Sequence, residues 1–259
     1  MIHELRLFLT ALQFLTRVPV PAWVGFEPAW LNQSARHFPG VGLCVGAVAA
    51  LVLAAGHALF TPLVAVGLSM AASVLLTGAF HEDGFADTCD ALGGAVSRER
   101  ALAIMKDSRI GAYGAVGLVL MLGLKAATLA SMPLALAVPA LLFAHTASRA
   151  AAVMLIRWLP YAGDVEHAKA KPMAQRVDRV GVVVAWAWVV VVGAAIVWHR
   201  PAQLAALSIA LVLLIAGTLW CARWLRRRLG GYTGDALGAT QQITELLALL
   251  GWLAAMRLA

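Results

Sequence analysis

Charge is the property that this sequence has least of. Of its 259 residues, 13% are charged, about half of the ~25% that is usual in soluble domains. Hydrophobic residues make up 62% of the chain, whereas a soluble domain has about 45–50%. A chain this short builds no soluble core that could hide so much apolar surface. The expected solvent is therefore a lipid bilayer.

Cysteine is scarce as well. Cys44, Cys89 and Cys221 lie far apart and form no C-x-x-C pair, which argues against a disulfide framework and against a zinc site. The N-terminus lacks a basic segment followed by an apolar run, so we predict no cleaved signal peptide. Internal repeats, low-complexity segments and a separate soluble domain are also missing. We expect residues 1–259 to form a single membrane-embedded domain.

Long apolar runs indicate the architecture, because a membrane-spanning helix needs about 20 mostly apolar residues. The candidate runs are roughly 41–60, 62–80, 112–131, 133–156, 181–199, 203–221 and 239–256. Since the last run contains Glu245, the prediction is an all-α, polytopic membrane bundle of six or seven spans. Leu5, Phe8, Leu12 and Leu15 recur at helical spacing, which indicates either an amphipathic helix at the membrane surface or an ordinary packed helix.

The positions of the cations predict the orientation of the bundle. Lysines and arginines concentrate in alternate loops, whereas the opposite loops are short and turn at Pro62, Pro133 and Pro201. The positive-inside rule then places the N-terminus and the long loops in the cytoplasm, at the inner membrane. This asymmetry accounts for the net charge of +7 without a nucleic-acid partner. We expect the arginine run at 226–228 to contact anionic membrane lipid.

The densest polar segment lies at 80–90, directly after the second candidate span. If it is helical, Asp83, Asp87 and Asp90 lie within about 60° of one another on one face. Carboxylates that close repel one another unless their pKa values rise or a cation binds, and oxygen ligands favour Mg²⁺ or Mn²⁺. Glu82, a fourth candidate ligand, lies about 100° away on the same helix.

Two other residues of this segment are candidates for the site. Gly84 lies among the acids and would allow close approach of a ligand, which favours a binding site over a merely solvated acidic face. His81 is interpreted either as a ligand or base, or as a packed interface residue.

A basic motif follows at 104–114. Lys106 and Arg109 suit phosphate binding, Lys as a point charge and Arg by its planar fork. Gly111 and Gly114 would leave backbone N–H groups accessible near a helix start, which is a favourable anion site. The alternative for such cations is simple positive-inside anchoring, to which we assign Arg98 and Arg100.

Further polar residues lie in or beside the later spans. Asp235 and Gln242 are seven positions apart and share a helical face, and an ionisable residue inside a span, such as Glu245, indicates a functional site by default. Arg149, near the cytoplasmic end of the fourth span, is a candidate phosphate contact. Lys125 is predicted either to pair with Glu245 or to extend towards the lipid interface.

Three strings, at 81–90, 104–114 and 231–239, resemble the signatures of the adenosylcobinamide-GDP ribazoletransferases, the cobalamin synthase family, and the likeness extends from about residue 10 to about 245. One departure is Cys89-Asp90-Ala91, where Ala followed by Asp-Gly is commoner in the family. The resemblance implies that a ribose hydroxyl of α-ribazole, or of its 5′-phosphate, attacks the cobinamide-bearing phosphoryl group of adenosylcobinamide-GDP. GMP leaves, and Mg²⁺ is the expected cofactor.

Roles for the candidate residues follow from this chemistry. The four acids of 82–90 would hold the metal, and Lys106 with Arg109 would stabilise charge on the phosphoryl oxygens. Asp107, Asp235 or an unligated motif aspartate would accept the proton. The other predicted contributors are His81 as a catalytic residue, and Gly84, Arg149 and Thr233 as substrate contacts.

Two alternatives remain open at this point. One is a CDP-alcohol phosphotransferase, although Asp87 stands where the motif of that class has Ala and Thr88 where it has Arg. The other is a cation-coupled transporter, which Lys125 and Glu245 would suit. The sequence leaves the oligomeric state open, a homo-oligomer included.

Overall fold

The chain is almost entirely helical. The computed structural model describes residues 2–163 and 174–258, and these ranges contain α-helices and short 3₁₀ turns but no β-strand. The α-helices are α1 (Ile2–Leu15), α2 (Pro28–Ser34), α3 (Phe38–His57), α4 (Pro62–Thr77), α5 (Phe80–Leu92), α6 (Arg98–Met105), α7 (Ala112–Ala130), α8 (Leu134–Trp158), α9 (Arg179–His199), α10 (Leu204–Leu229) and α11 (Gly234–Leu258).

Five segments of the described chain are long and apolar enough to cross a membrane: Pro28–His57, α7, α8, α9 and Pro201–Leu229. Helices α4 and α5 add a sixth only if they count together as one bent span. The predicted all-α, multi-pass class is confirmed. The seventh predicted span forms α11, which is 25 residues long but falls outside this set because it carries several polar side chains. It packs against α5, α7, α8 and α10, so its surroundings are mainly protein.

Glycines let the helices of the bundle approach closely. Gly42 and Gly46 are four apart on α3 and lie against α8, where a Cβ at Gly46 would be 3.0 Å from the carbonyl oxygen of Leu141. On the other side of the bundle, a Cβ at Gly251 of α11 would be 2.5 Å from the Cα of Ala210 in α10. Small residues allow such packing in membrane helices, which have little hydrophobic drive to associate.

A sharp break separates α4 from α5. Gly78 and Ala79 both adopt positive φ, 69° and 61°, and α5 turns by 90° relative to α4. The second candidate span therefore ends before the acidic segment, which forms a helix of its own. Helix α5 carries four acidic residues within 13 and packs against α7 and α11.

The first helix uses one face for packing. Leu7, Ala11 and Leu15 are buried against the bundle, whereas Ile2 and Leu5 are exposed. Helix α1 is thus amphipathic and packed at the same time, and its location at the membrane surface stays a prediction.

Candidate active site

Helices α5 and α11 cross in direct backbone contact. A Cβ at Gly84 would be 2.9 Å from both the Cα and the carbonyl oxygen of Asp235, and a Cβ at Gly238 would be 3.2 Å from the carbonyl oxygen of His81. Because neither glycine has a side chain, the helices approach closely enough to bring Asp235 next to Asp83 and Asp87. The close approach at Gly84 is thus used by α11, and the predicted substrate contact of Gly84 stays a prediction.

The resulting carboxylate cluster of Asp83, Asp87 and Asp235 is electrostatically strained. Burial, with the nearby charges of Asp235, Asp83 and Asp90, raises the pKa of Asp87 to about 7. Burial and the charge of Asp83 raise the pKa of Asp235 to about 6. A cation bound among these carboxylates would relieve their mutual repulsion.

The fit of this cluster to a magnesium ion follows from its donor chemistry. Within residues 2–163 and 174–258, no three His, Cys, Asp or Glu side chains form a ready-made metal-ligand set. Mg²⁺ is usually held by one or two carboxylates, several waters and the phosphates of a substrate, and not by a protein cage. The carboxylates of this cluster repel one another, and Asp83 is exposed to solvent. Both properties fit that mode of binding.

Asp90 has a structural partner that the sequence did not indicate. Its carboxylate accepts hydrogen bonds from the backbone N–H of Gly111 at 2.7 Å and of Gly114 at 2.8 Å. A Cβ at Gly111 would be 2.5 Å from the Asp90 Oδ1. The carboxylate therefore fits only because these two positions have no side chain. The predicted anion site at the start of α7 exists, and Asp90 occupies it. Metal binding by Asp90 stays a prediction.

Glu82 faces away from the other acids of its helix. Its Oε1 accepts a hydrogen bond from Gln242 Nε2 at 3.0 Å, and its Oε2 is buried with no hydrogen-bond partner in the described chain. The charges that raise the pKa of Asp87 come from Asp83, Asp90 and Asp235. Metal binding by Glu82 stays a prediction, but its carboxylate points into the bundle.

Inside the bundle, Glu82 meets a network of buried polar groups. Lys125 Nζ lies 2.6 Å from Glu245 Oε1 and donates to Gln242 Oε1 at 2.5 Å. His145 Nδ1 lies 3.0 Å from Glu245 Oε2. Of the two alternatives for Lys125, the structure selects pairing with Glu245.

The remaining members of this network surround Glu245 as well. Gln241 Nε2 donates to Ser148 Oγ at 3.1 Å and also contacts Glu245 Oε2. Arg149, predicted to contact phosphate, is 3% exposed and donates to the carbonyl oxygen of His145 at 2.9 Å. Arg149 is thus buried, and its contact with phosphate stays a prediction.

The basic motif lies in the loop between α6 and α7. Lys106 is exposed, and Arg109 binds Asp107 through a fork of hydrogen bonds, the shortest being 2.7 Å from Nη2 to Oδ2. The side chain of Arg109 is 85% exposed. Hydrogen bonds from Arg109 lower the pKa of Asp107 to about 2. In this arrangement Asp107 is a poor proton acceptor.

Two other predicted site residues are buried beside the cluster. Thr233 Oγ1 accepts from the backbone N–H of Ala236 at 3.1 Å and so caps the start of α11, while its hydroxyl lies 3.6 Å from Met105 Sδ. His81 is 4% exposed, and burial lowers its pKa well below its usual value. Their predicted roles in substrate binding and catalysis remain predictions.

Several arginines of this end of the molecule stabilise helix ends, a role that the sequence analysis missed. Arg98 Nε donates to the Leu229 carbonyl at 2.6 Å, and Arg228 donates to the Leu92 and Gly94 carbonyls at 3.1 and 2.7 Å. Cations at the carbonyl end of a helix satisfy its unpaired acceptors and its dipole. In the sequence, such contacts are indicated only by an arginine in or just after a helix, which does not reveal the helix end that it will meet.

The three strings that carry the family resemblance converge at this end of the bundle. The string at 81–90 contacts 231–239 through Gly84 and Asp235, and it contacts 104–114 through Asp90 and Gly111. Fold and site together define a class: an all-α, multi-pass membrane protein whose acidic and basic motifs meet at one end of the helices. The chain belongs to the cobalamin-5-phosphate synthase family, whose model matches residues 7–253, and it is an enzyme.

Individual relatives agree with this membership. A protein of Leptothrix cholodnii named adenosylcobinamide-GDP ribazoletransferase is 60% identical over 257 residues, covering 98% of this chain and 97% of the relative. Proteins with the same name from Albidiferax ferrireducens and Vibrio cholerae are 44% and 43% identical, covering 95% and 96% of this chain and 97% and 93% of the relatives. The resemblance read from the sequence is confirmed. No solved structure gives a significant match.

Proposed function

We propose that this enzyme transfers the cobinamide-phosphate group of adenosylcobinamide-GDP to α-ribazole or its 5′-phosphate. The reaction releases GMP and forms adenosylcobalamin or its 5′-phosphate. The names of the relatives support this activity. The observation in the structure that carries the proposal is the convergence of three distant polar motifs, through Gly84–Asp235 and Asp90–Gly111.

Asp83 and Asp87 are the residues that we propose to hold Mg²⁺, and Asp235 lies beside them. When bound, Mg²⁺ would neutralise the diphosphate and stabilise the leaving GMP. Lys106 and Arg109 would approach from the loop after α6, where their cations stabilise the phosphoryl oxygens.

The structure favours Asp235 over Asp107 as the proton acceptor. A general base works best when its pKa lies near the working pH, and the pKa of Asp235 is raised to about 6. Asp107 is held by Arg109, and its pKa is lowered to about 2. Asp235 would therefore take the proton of the attacking ribose hydroxyl.

The reaction would take place at the cytoplasmic side of the inner membrane. Support comes from the cations of the long loops, which the positive-inside rule assigns to the cytoplasm. A transporter fits less well, because the intramembrane Lys125 and Glu245 are paired at 2.6 Å. The gap beside them has a volume of about 20 Å³, room for about one water.

The test is an assay of detergent-purified enzyme with adenosylcobinamide-GDP, α-ribazole and Mg²⁺, followed by mass detection of the corrinoid product. We expect product and GMP in equal amounts, and none when a CDP-alcohol replaces the corrinoid. Asp83→Asn and Asp87→Asn should abolish transfer in protein that still inserts, whereas Glu99→Gln, at an exposed acid of α6, should not. Full Mg²⁺-dependent GMP release by both aspartate variants would refute the metal assignment.

A further inference from the structure

The buried network joins basic side chains to carboxylates. Its basic members are Lys125, Arg149 and His145, whose Nδ1 lies 3.0 Å from Glu245 Oε2, and its carboxylates are Glu82 and Glu245. The two carboxylates are the acidic groups that interact with the Arg149 guanidinium, and Lys125 Nζ lies 2.6 Å from Glu245. An unpaired charge in such a site is costly, so removing one member destabilises the others.

Among the hydrogen-bonded members of this network in the described chain, Glu82 alone belongs to the acidic motif. Glu82 lies on α5, whereas Lys125 lies on α7, Arg149 on α8 and Glu245 on α11. Glu82 is joined to the rest of the network by the 3.0 Å hydrogen bond that Gln242 Nε2 donates to its Oε1. Gln242 is in turn bonded to Lys125 Nζ at 2.5 Å and to Gln241 Oε1 at 2.9 Å.

The site around Glu82 has no room for a substrate. The space between Glu82, Lys125, His145 and Glu245 is about 20 Å³, which fits about one water molecule. The carboxylate of Glu82 is thus turned into the protein, while Asp83, the next residue, is exposed at the cluster. Anchoring Glu82 fixes the rotation of α5 about its axis, and this rotation determines where Asp83 and Asp87 point.

We propose that Glu82 is a positioning residue, the internal counter-ion through which Gln242 and the buried network orient the aspartates of α5, and not a ligand of the metal. This inference rests on the proposed function, since it explains how Asp83 and Asp87 are oriented to hold the metal. It assigns to Gln242 and Lys125, which are both buried inside the bundle, an effect on activity that passes through Glu82.

A charge swap tests the proposal. Glu82→Gln removes one carboxylate from the network and Gln242→Glu adds one, whereas the double variant keeps the original number of carboxylates. In the double variant the new amide at 82 can donate to the new carboxylate at 242, and the Gln242–Gln241 hydrogen bond is lost. The protein is purified in detergent, and three properties are measured: the unfolding temperature without metal, Mn²⁺ binding by electron paramagnetic resonance without substrate, and GMP release.

We expect each single variant to lower the unfolding temperature and to reduce Mn²⁺ affinity and GMP release by roughly 10–100-fold, the range seen when partners of metal ligands are removed. The double variant should recover at least tenfold of the lost affinity and turnover, and most of the unfolding temperature. Asp87→Asn combined with Gln242→Glu is the matched control and should recover nothing.

The outcomes separate the hypotheses. A double variant that regains stability but not Mn²⁺ affinity would mean that Glu82 is a metal ligand, and it would overturn the proposal. A double variant that fails to fold, or single variants that behave like the unmodified enzyme, would overturn it as well. If the unmodified enzyme released no GMP, the proposed function would fail, while the unfolding temperatures and Mn²⁺ titrations would still decide the role of Glu82.

Discussion

The crossing of α5 and α11 allows a prediction that follows directly from distances. In Gly84→Ala, the new Cβ would lie 2.9 Å from two backbone atoms of Asp235, whereas ordinary contacts begin at 3.4 Å. Backbone atoms cannot swing aside as the end of a long side chain can. The helices must therefore separate by about 0.5 Å or more, which moves Asp235 away from Asp83 and Asp87.

The expected cost has two parts. A misplacement of about 1 Å can cost about 100-fold in rate, so a shift of about half that size should lower GMP release by roughly 10-fold or more. Overpacking of this kind usually destabilises a protein by about 1–3 kcal/mol, so the unfolding temperature in detergent should fall too. The rate is measured by GMP release with adenosylcobinamide-GDP, and stability by thermal unfolding of the same preparation.

Two further glycines provide a graded control. Gly238→Ala places a Cβ 3.2 Å from the His81 carbonyl oxygen, a milder contact, and should have a smaller effect. Gly123→Ala in α7 meets nothing within 4 Å and should preserve activity, with a slight gain in helix stability. If Gly84→Ala turned over and unfolded like Gly123→Ala, the close crossing would not define the site and the reasoning would be refuted.

Three other predictions follow. Because burial and neighbouring charges raise the pKa of Asp87 to about 7, the folded metal-free protein binds a proton that the unfolded chain has lost above pH ~4. Its stability should therefore fall as pH rises from 5 to 8, and Asp87→Asn should weaken that fall in thermal scans. Asp90→Ala should destabilise the start of α7 by about 0.5–2 kcal/mol. Asp90→Asn, which keeps one acceptor, should cost less and retain activity, unless Asp90 binds metal. Asp235→Asn should abolish GMP release, whereas Asp107→Asn should reduce it at most modestly; equal losses would contradict our choice of base.

Periodicity and charge predicted much of this fold. Apolar runs marked the spans, and the spacing of Asp83, Asp87 and Asp90 on one helix is as expected, since α5 runs from Phe80 to Leu92. The break at Gly78 and Ala79 could not be predicted, because a left-handed alanine has no local signal and costs free energy that only tertiary contacts offset. The polar residues of α11 also made it difficult to predict from the sequence that this helix packs inside the bundle.

The details of the site depended on contacts between distant residues. Which way Glu82 points is decided by Gln242, 160 positions later, and Asp90 is held by backbone groups of α7. Helical spacing gives the angle between side chains of one helix, but not which neighbouring helix each of them meets. Glycines were interpreted as space for a ligand, whereas Gly84 and Gly111 make room for other parts of the chain.

The right angle between α4 and α5 has a consequence for how a substrate would enter and leave the site. Because α5 departs from the direction of α4 by 90° and Asp83 is exposed, the corrinoid that we propose as substrate would reach this aspartate without passing between the membrane spans. Binding and release would then require no opening of the transmembrane helices. The spans would serve as the support of a site at the lipid boundary.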